Sequence, residues 1–410
     1  MRAARELLRK ERRGRLFLAA YAQSSLGNGA GYVALVVLAY DRRPSAWAIA
    51  LVLMADFLPA MVVGPLLGAA ADRWSRRWCA VASDVVRGAA FIAIAFVGDI
   101  GSTIALALVA GAGAALFTPA ALAAIPGLVG EERLPAATSL FGGITDLGRT
   151  VGPALAGIGM IVAGPEAVVV ANGVTFLISA LLLMRLDFGK RPAAQAGQQP
   201  TGLLREAREG LVAGARMPGI QIMLLASSGI LLFAGMLNVA ELLLARKLGT
   251  GSVGYAVLVA AYGLGFVAGS LTGARGRDLA ELKRRYLGGI LIMGLGLVLS
   301  GVAPLFGAAL VAFAVTGFGN GLVLVNERLI FQQVVPDRLM GRLFALADTA
   351  GSWAFAIAFV AAGALLAVAG TRTLFLVAGA GGIAIWAASS YGLRSLWNRP
   401  HLGEPARAET

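Results

Sequence analysis

One cysteine, Cys79, and one histidine, His401, occur in 410 residues, and charged side chains make up only 14% of the chain. A lone cysteine forms no intramolecular disulfide and no cysteine metal cluster. A lone histidine, here in a polar tail, excludes a Cys/His nucleophilic pair and histidine-ligated metal, which leaves carboxylates as the proton carriers of an apolar interior. No GxxxxGK[ST] run is present, so ATP hydrolysis within the chain is not expected. The GxGxxG-like fragments sit inside apolar runs, without the strand and turn that a dinucleotide site requires. These absences point away from an enzyme, and no cofactor or metal is expected. Lysine is scarce too, confined to Lys10, Lys190, Lys247 and Lys283.

Apolar surface is what the chain has in excess. It is 58% hydrophobic with a mean hydropathy of +0.78, whereas a soluble domain carries about 25% charged residues. Nucleic-acid binding, one reading of a net charge of +13, needs basic residues gathered on one soluble face. Here they sit in short loops between apolar runs. Hydropathy with turn punctuation predicts twelve membrane-spanning helices, near 16–40, 46–70, 79–97, 102–125, 137–163, 167–188, 219–245, 253–273, 286–303, 306–331, 343–369 and 373–393. Arg and Lys concentrate in one alternate set of connections, while the other set holds only Arg42, Arg43, Arg246, Lys247 and Arg372. By the positive-inside rule both termini lie in the cytoplasm.

The predicted organisation is a tail (1–15), a six-helix half (16–188), a polar linker with a short interfacial helix (189–218), a second six-helix half (219–393) and a tail (394–410). The halves resemble each other at an offset of 205 residues. Gly64 and Gly68 match Gly269 and Gly273, and EERL at 131–134 matches PDRL at 336–339, the trace that a duplicated transporter leaves.

After the second span the sequence GPLLGAAADRWSRR places Gly68, Asp72, Arg73, Arg76 and Arg77 in the G-x-x-x-D-R-x-x-R-R pattern. In the fifth span GRTVGPALAG carries Gly148, Gly152, Pro153 and Gly157, close to G-x-x-x-G-P-x-x-G-G, with Ala156 in place of one glycine. With twelve spans in two halves, these motifs resemble the major facilitator superfamily, and the wider pattern resembles its macrolide-efflux and enterobactin-type siderophore exporter branch. The resemblance implies an all-α membrane protein of two pseudo-symmetric six-helix halves, a cytoplasmic gate at the first motif and antiport at the second. Pro153 removes a backbone hydrogen bond, so a bend is expected there. One departure stands out: the fourth span, ALALVAGAGAALFTP, lacks the arginine that many proton-coupled members place before its glycines.

Charges inside spans are costly and so are functional candidates. Asp56 in the second span and Asp146 with Arg149 in the fifth lie nearest the middle of the membrane, and they are the candidate proton-coupling residues. Desolvation and an approaching cation act in opposite directions on a carboxylate, so a change of access makes it take and release a proton. The alternative for Asp56 is a static hydrogen bond to Gln23 or Asn28. A secondary network comprises Asp84, Arg87, Glu327, Arg328 and Asp348, and Glu241 is a carboxylate of the outer third. Asp84 with Arg87 and Asp146 with Arg149 have the i,i+3 spacing of self-neutralising pairs. Gln23, Asn28, Asn238, Asn320, Trp353 and Phe355 are candidate cavity residues.

The expected function is proton antiport of a hydrophobic or amphipathic small molecule, of drug, macrolide or siderophore type, out across the cytoplasmic membrane by alternating access. The expected partners are the substrate, protons and the lipid bilayer, with no nucleic acid, and the chain is expected to act as a monomer. Antibiotic resistance is the expected consequence of such efflux. An importer or symporter of the same fold and a lipid flippase are the alternatives.

Overall fold

The structure, a computed structural model, describes residues 7, 9, 11–62, 74–188, 217–276 and 278–394. Among them are ten α-helices and one 3-10 turn, Glu131–Arg133. Two of the helices break where glycine adopts a left-handed backbone, at Gly164 (φ 83°) and Gly370 (φ 77°). Twelve helical segments result. They are α1 (Arg12–Arg42), α2 (Ala46–Val62), α3 (Arg76–Phe96), α4 (Ile100–Val129), α5 (134–163), α6 (165–184), α7 (Pro218–Lys247), α8 (Gly251–Gly273), α9 (Leu279–Val302), α10 (Phe306–Val334), α11 (337–369) and α12 (371–394).

Eight helices, the two broken ones included, are long and apolar enough to cross a membrane. Of the other two, α2 has 17 described residues, and the rest of its predicted span lies outside the described residues. In α1 the run from Gln23 to Gly29 interrupts the apolar pattern with amides, serines and glycines. The chain is an integral multi-pass membrane protein.

It divides into two compact units, Met1–Gln198 with Gly251–Ala260, and Gln199–Thr250 with Ala261–Thr410. The two six-helix halves repeat one plan. The helices α2 and α8 begin at 46 and 251, and the breaking glycines stand at 164 and 370.

Close approach through glycine pairs the same helices in each half. A Cβ on Gly29 of α1 would lie 2.1 Å from the Gly148 carbonyl oxygen of α5, and one on Gly235 of α7 would lie 2.7 Å from Ala358 Cβ of α11. A Cβ on Gly111 of α4 would lie 2.1 Å from the Asp56 carbonyl oxygen of α2, as one on Gly265 of α8 would lie 2.0 Å from the Ala314 carbonyl oxygen of α10. Gly88 packs on Gly173 between α3 and α6, as Gly379 packs on Gly294 between α12 and α9. Lipid offers apolar groups as good a home as another helix does, so dispersion and backbone contact at small residues hold such bundles together.

In the α3–α4 connection Asp99 caps α4, accepting the Ser102 backbone N–H at 2.8 Å, which holds its carboxyl below the usual range. Asp278 caps α9 likewise, accepting from the Glu281 N–H at 2.7 Å. Pro153 lies within continuous helix, and the break between α5 and α6 falls at Gly164, between the two predicted spans.

Two adjacent glycines of α9 should respond oppositely to one methyl group. A Cβ on Gly288 meets nothing within 4 Å, whereas one on Gly289 would lie 2.8 Å from the Gly319 carbonyl oxygen. Gly288→Ala is expected to gain about 0.5–1 kcal/mol from helix propensity. Gly289→Ala is expected to lose about 1–3 kcal/mol by overpacking. Melting temperatures in detergent read both.

Candidate functional site

In the first unit the polar interior centres on Arg87. Glycines at 111 and 113 thin α4 enough for α2 and α3 to press against it, and a Cβ on Gly113 would stand 2.7 Å from Arg87 Cγ. The guanidinium faces the Asp84 carboxylate, with Nη1 3.7 Å from Oδ1. It lies 3.8 Å from the ring centroid of Phe176 on α6 and 5.9 Å from that of Phe117 on α4, and it donates from Nη2 to Asn28 Oδ1 of α1 at 3.3 Å.

Asp56 of α2 interacts electrostatically with the same cation. Asp84 is fully buried, and neither carboxylate oxygen has a hydrogen-bond partner among the described residues. Asp56 is partly buried. The guanidinium thus pairs with one buried carboxylate and feels a second, partly buried one on the neighbouring helix. A cation between aromatic faces is well accommodated in that setting, but a second uncompensated anion is not.

Aromatic rings continue from this cluster: Tyr21 stacks on Phe141 at 4.1 Å and on Phe117 at 5.8 Å, and its hydroxyl hydrogen-bonds Thr145 Oγ1 at 2.7 Å. Gln23 is spent on backbone carbonyls, donating to Thr175 at 2.7 Å and Ala20 at 3.0 Å. Asn28 presents Oδ1 to Arg87, and no hydrogen bond from Gln23 or Asn28 to Asp56 occurs among the described residues.

Asp146 and Arg149 behave differently from their spacing. Both are exposed, and among the described residues no ion pair joins them. The glycines around them pack on α1: a Cβ on Gly148 would lie 2.5 Å from the Ser25 carbonyl oxygen and one on Gly152 2.6 Å from Gly29 Cα. Pro153 is buried, and a Gly157 Cβ would reach Ala256 Cβ at 3.2 Å.

Gly68, Asp72 and Arg73 lie outside the described residues. The last two basic residues of that motif bind helix carbonyls: Arg76 Nη1 donates to the Ala123 oxygen of α4 at 2.6 Å, and Arg77 donates to the Met184 oxygen at the end of α6. A cation at a helix C-terminus meets the negative end of its dipole. At the same end of the unit Arg133 pairs with Glu11, and Arg13 pairs with Asp187 at 3.6 Å.

The second unit holds a cluster of similar charge. Ser227 of α7 donates to Glu327 Oε1 of α10 at 2.6 Å, and Arg328, Asp348 of α11 and the buried Tyr286 of α9 each interact electrostatically with that carboxylate. Glu241 of α7 is 5% exposed. Neither an ion pair nor a hydrogen bond to its carboxyl occurs among the described residues. Asn320 donates to Tyr262 Oη at 2.7 Å. Trp353 is exposed, Phe355 packs on Phe359 at 6.0 Å and Asn238 is half-buried.

The sequence pattern of the Major Facilitator Superfamily matches residues 16–239 and again residues 223–409. This chain belongs to that superfamily. It is a transporter of the major facilitator fold, with two six-helix halves. Among similar proteins, the uncharacterized transporter YfiS of Bacillus subtilis is 26% identical over 91% of each chain. The multidrug efflux pump Tap of Mycolicibacterium fortuitum is 27% identical over 89% of this chain and 92% of its own. Macrolide efflux protein A of Streptococcus pyogenes is 22% identical over 85% and 87%. Among solved structures, a bacterial homologue of the human lysosomal transporter Spinster superposes with a TM-score of 0.74 at 13% identity, covering 94% of this facilitator and 98% of its own chain. A variant of the nucleoside transporter NupG gives 0.75 at 16%, covering 92% and 99%. At such identities the likeness is one of fold.

Reading along the sequence missed three members of this facilitator's first cluster: Tyr21, Phe117 and Phe176. Aromatic residues on apolar helices carry no mark of what they face, but Arg87, the single basic residue deep in the third span, was the available pointer to a buried cation with neighbours.

Proposed function

We propose that this facilitator exports a hydrophobic or amphipathic small molecule, of drug, macrolide or siderophore type, by proton antiport with alternating access. It acts as a monomer in the cytoplasmic membrane with both termini inside. The carrying observation is the cluster of Asp56, Asp84 and Arg87. The cluster sets two carboxylates beside one guanidinium, so a proton taken up or given off by either carboxylate changes its net charge, and a change in access to water drives that exchange. Arg87 then has two carboxylates to satisfy. The gain or loss of that proton decides which helix, α2 or α3, holds the guanidinium, and this couples protonation to a change of shape.

Efflux proteins among the relatives support the direction of transport, and the close α1–α5 contact at Gly148 and Gly152 is where the resemblance to antiporters sits. Asp72 and Arg73, with Gly68, Arg76 and Arg77, form the gate of this reading. Glu327, Arg328 and Asp348 are the corresponding charge network of the second half.

Everted membrane vesicles test it. Erythromycin or ethidium added after respiration has acidified the lumen should draw protons out, read as recovery of a quenched pH dye, in vesicles carrying this protein and not in vesicles without it. Uptake of the compound together with protons would establish a symporter instead, and flux indifferent to the gradient would reject antiport.

A further inference from the structure

Five positions of α5 form an exposed polar face within the membrane. At 100° per residue, Ser139, Gly142, Gly143, Asp146 and Arg149 fall within an arc of about 120°, and all five are exposed. The apolar exposed positions of the same helix, Leu147, Leu155, Ile158, Ile161 and Val162, centre roughly 130° away. The two sets meet at Ile161, which shares the direction of Gly143 five turns away, and otherwise lie on different sides of the helix. Ile158, Ile161 and Val162, up to 79% exposed, suit hydrocarbon. A carboxylate and a guanidinium do not, so the polar face meets water.

Among the described residues no ion pair or side-chain hydrogen bond engages Asp146 or Arg149. Both act electrostatically on Tyr21 of α1, whose hydroxyl is engaged with Thr145. Beside them a Cβ on Gly142 or Gly143 would meet nothing within 4 Å, so the backbone is bare and there is room above it. Positions three apart on a helix bring their Cβ atoms within about 5–6 Å, and the long arginine stem lets the guanidinium stand farther from the carboxylate than that.

We propose that this face of α5 is a substrate-contact surface for a zwitterionic amphipathic molecule. Its ammonium group sits on Asp146, its carboxylate or other planar anionic group on Arg149, and its apolar body lies over Gly142 and Gly143. The guanidinium fork suits a carboxylate in two-point contact, and each charge of the ligand replaces water at a charge the fold leaves open. A molecule with only one of the two groups leaves the other side chain facing its apolar body, which costs affinity. This deepens the export reading by naming the substrate's charge pattern and rests on it only for the direction of travel.

Four probes with one fluorophore separate the terms: Nε-dansyl-lysine (zwitterion), dansylcadaverine (cation), dansylglycine (anion) and dansylamide (neutral). Binding to the purified protein in detergent at neutral pH is read by fluorescence enhancement. The zwitterion is expected to bind at least about tenfold more tightly than either singly charged probe, a difference of one charged contact. Asp146→Asn should remove its advantage over dansylglycine and Arg149→Gln its advantage over dansylcadaverine, while Asp146→Glu should keep the order.

An unchanged order of affinities in Asp146→Asn and Arg149→Gln, an absence of zwitterion preference, or failure of the zwitterion to bind overturns the proposal. Flux of the same probes in proteoliposomes under a proton gradient is a separate readout. Zwitterion-selective binding without proton-driven flux would sink the antiport reading and leave the site, whereas flux without charge preference would sink the site alone.

Discussion

Arg87→Leu is expected to reduce proton-driven efflux by about tenfold or more and to cost roughly 3–5 kcal/mol of stability, because it strands Asp84 without the one cation that faces it among the described residues. Asp84 is fully buried, its oxygens have no hydrogen-bond partner among the described residues, and the guanidinium at 3.7 Å is its counter-charge. Arg87→Lys should recover part of the stability and less of the transport, since an ammonium lacks the planar face that lies against Phe176 and the fork that reaches Asn28.

Folding and function separate in the second variant. Asp84→Asn keeps the shape and removes one anion, which leaves Arg87 with Asp56 alone. Such a protein should fold and still exchange substrate for substrate across the membrane, yet no longer accumulate it against a gradient, since a one-to-one pair has no spare proton to trade. The double variant Asp84→Asn/Arg87→Leu should regain stability relative to Arg87→Leu without regaining proton coupling. Melting temperature, exchange and proton-driven uptake, measured together, decide it. A fully active, proton-coupled Asp84→Asn would remove the cluster from the mechanism.

Gly152→Leu is expected to prevent accumulation of folded protein, and Gly29→Leu to do the same. At the crossing of α1 and α5 the obstacle is backbone on both sides: a Gly152 Cβ would lie 2.6 Å from Gly29 Cα, and a Gly29 Cβ 2.1 Å from the Gly148 carbonyl oxygen. No rotamer change relieves a clash with main chain, so the helices must part. Overpacking by single methylenes costs about 1–3 kcal/mol, and parting α1 from α5 forfeits the dispersion contacts along the crossing as well. The yield of monodisperse protein in detergent reads the effect, with Gly288→Ala as the control for an open glycine. Normal yields for both leucine variants would show that the two helices do not meet there.

Much of the architecture is legible along the chain. Spans in a bilayer are set by the length and hydropathy of continuous runs, and breaks by glycine and proline, all properties read in one dimension. The duplicated plan shows in the spacing of glycines, because a helix that must approach another to backbone contact has no alternative residue. For the same reason the family was recognisable from Gly148, Gly152 and Pro153 and from the loop ending in Arg76 and Arg77.

The polar partnerships are another matter. Asp84 with Arg87 and Asp146 with Arg149 share one spacing, yet the first makes an ion pair in the interior and the second makes none among the described residues. Spacing places two side chains on the same side of a helix; which way that side points depends on the rotation of the helix, and one residue turns it by 100°. The α4 glycines and the contacts of α1, α2 and α6 set that rotation for α3, so that Asp56, Asn28 and Phe176, far apart in the chain, converge on one guanidinium. Sequence alone determined that this chain crosses a membrane as two repeated six-helix halves; only the packing of helices on one another decided which of its charges meet a partner among the described residues and which do not.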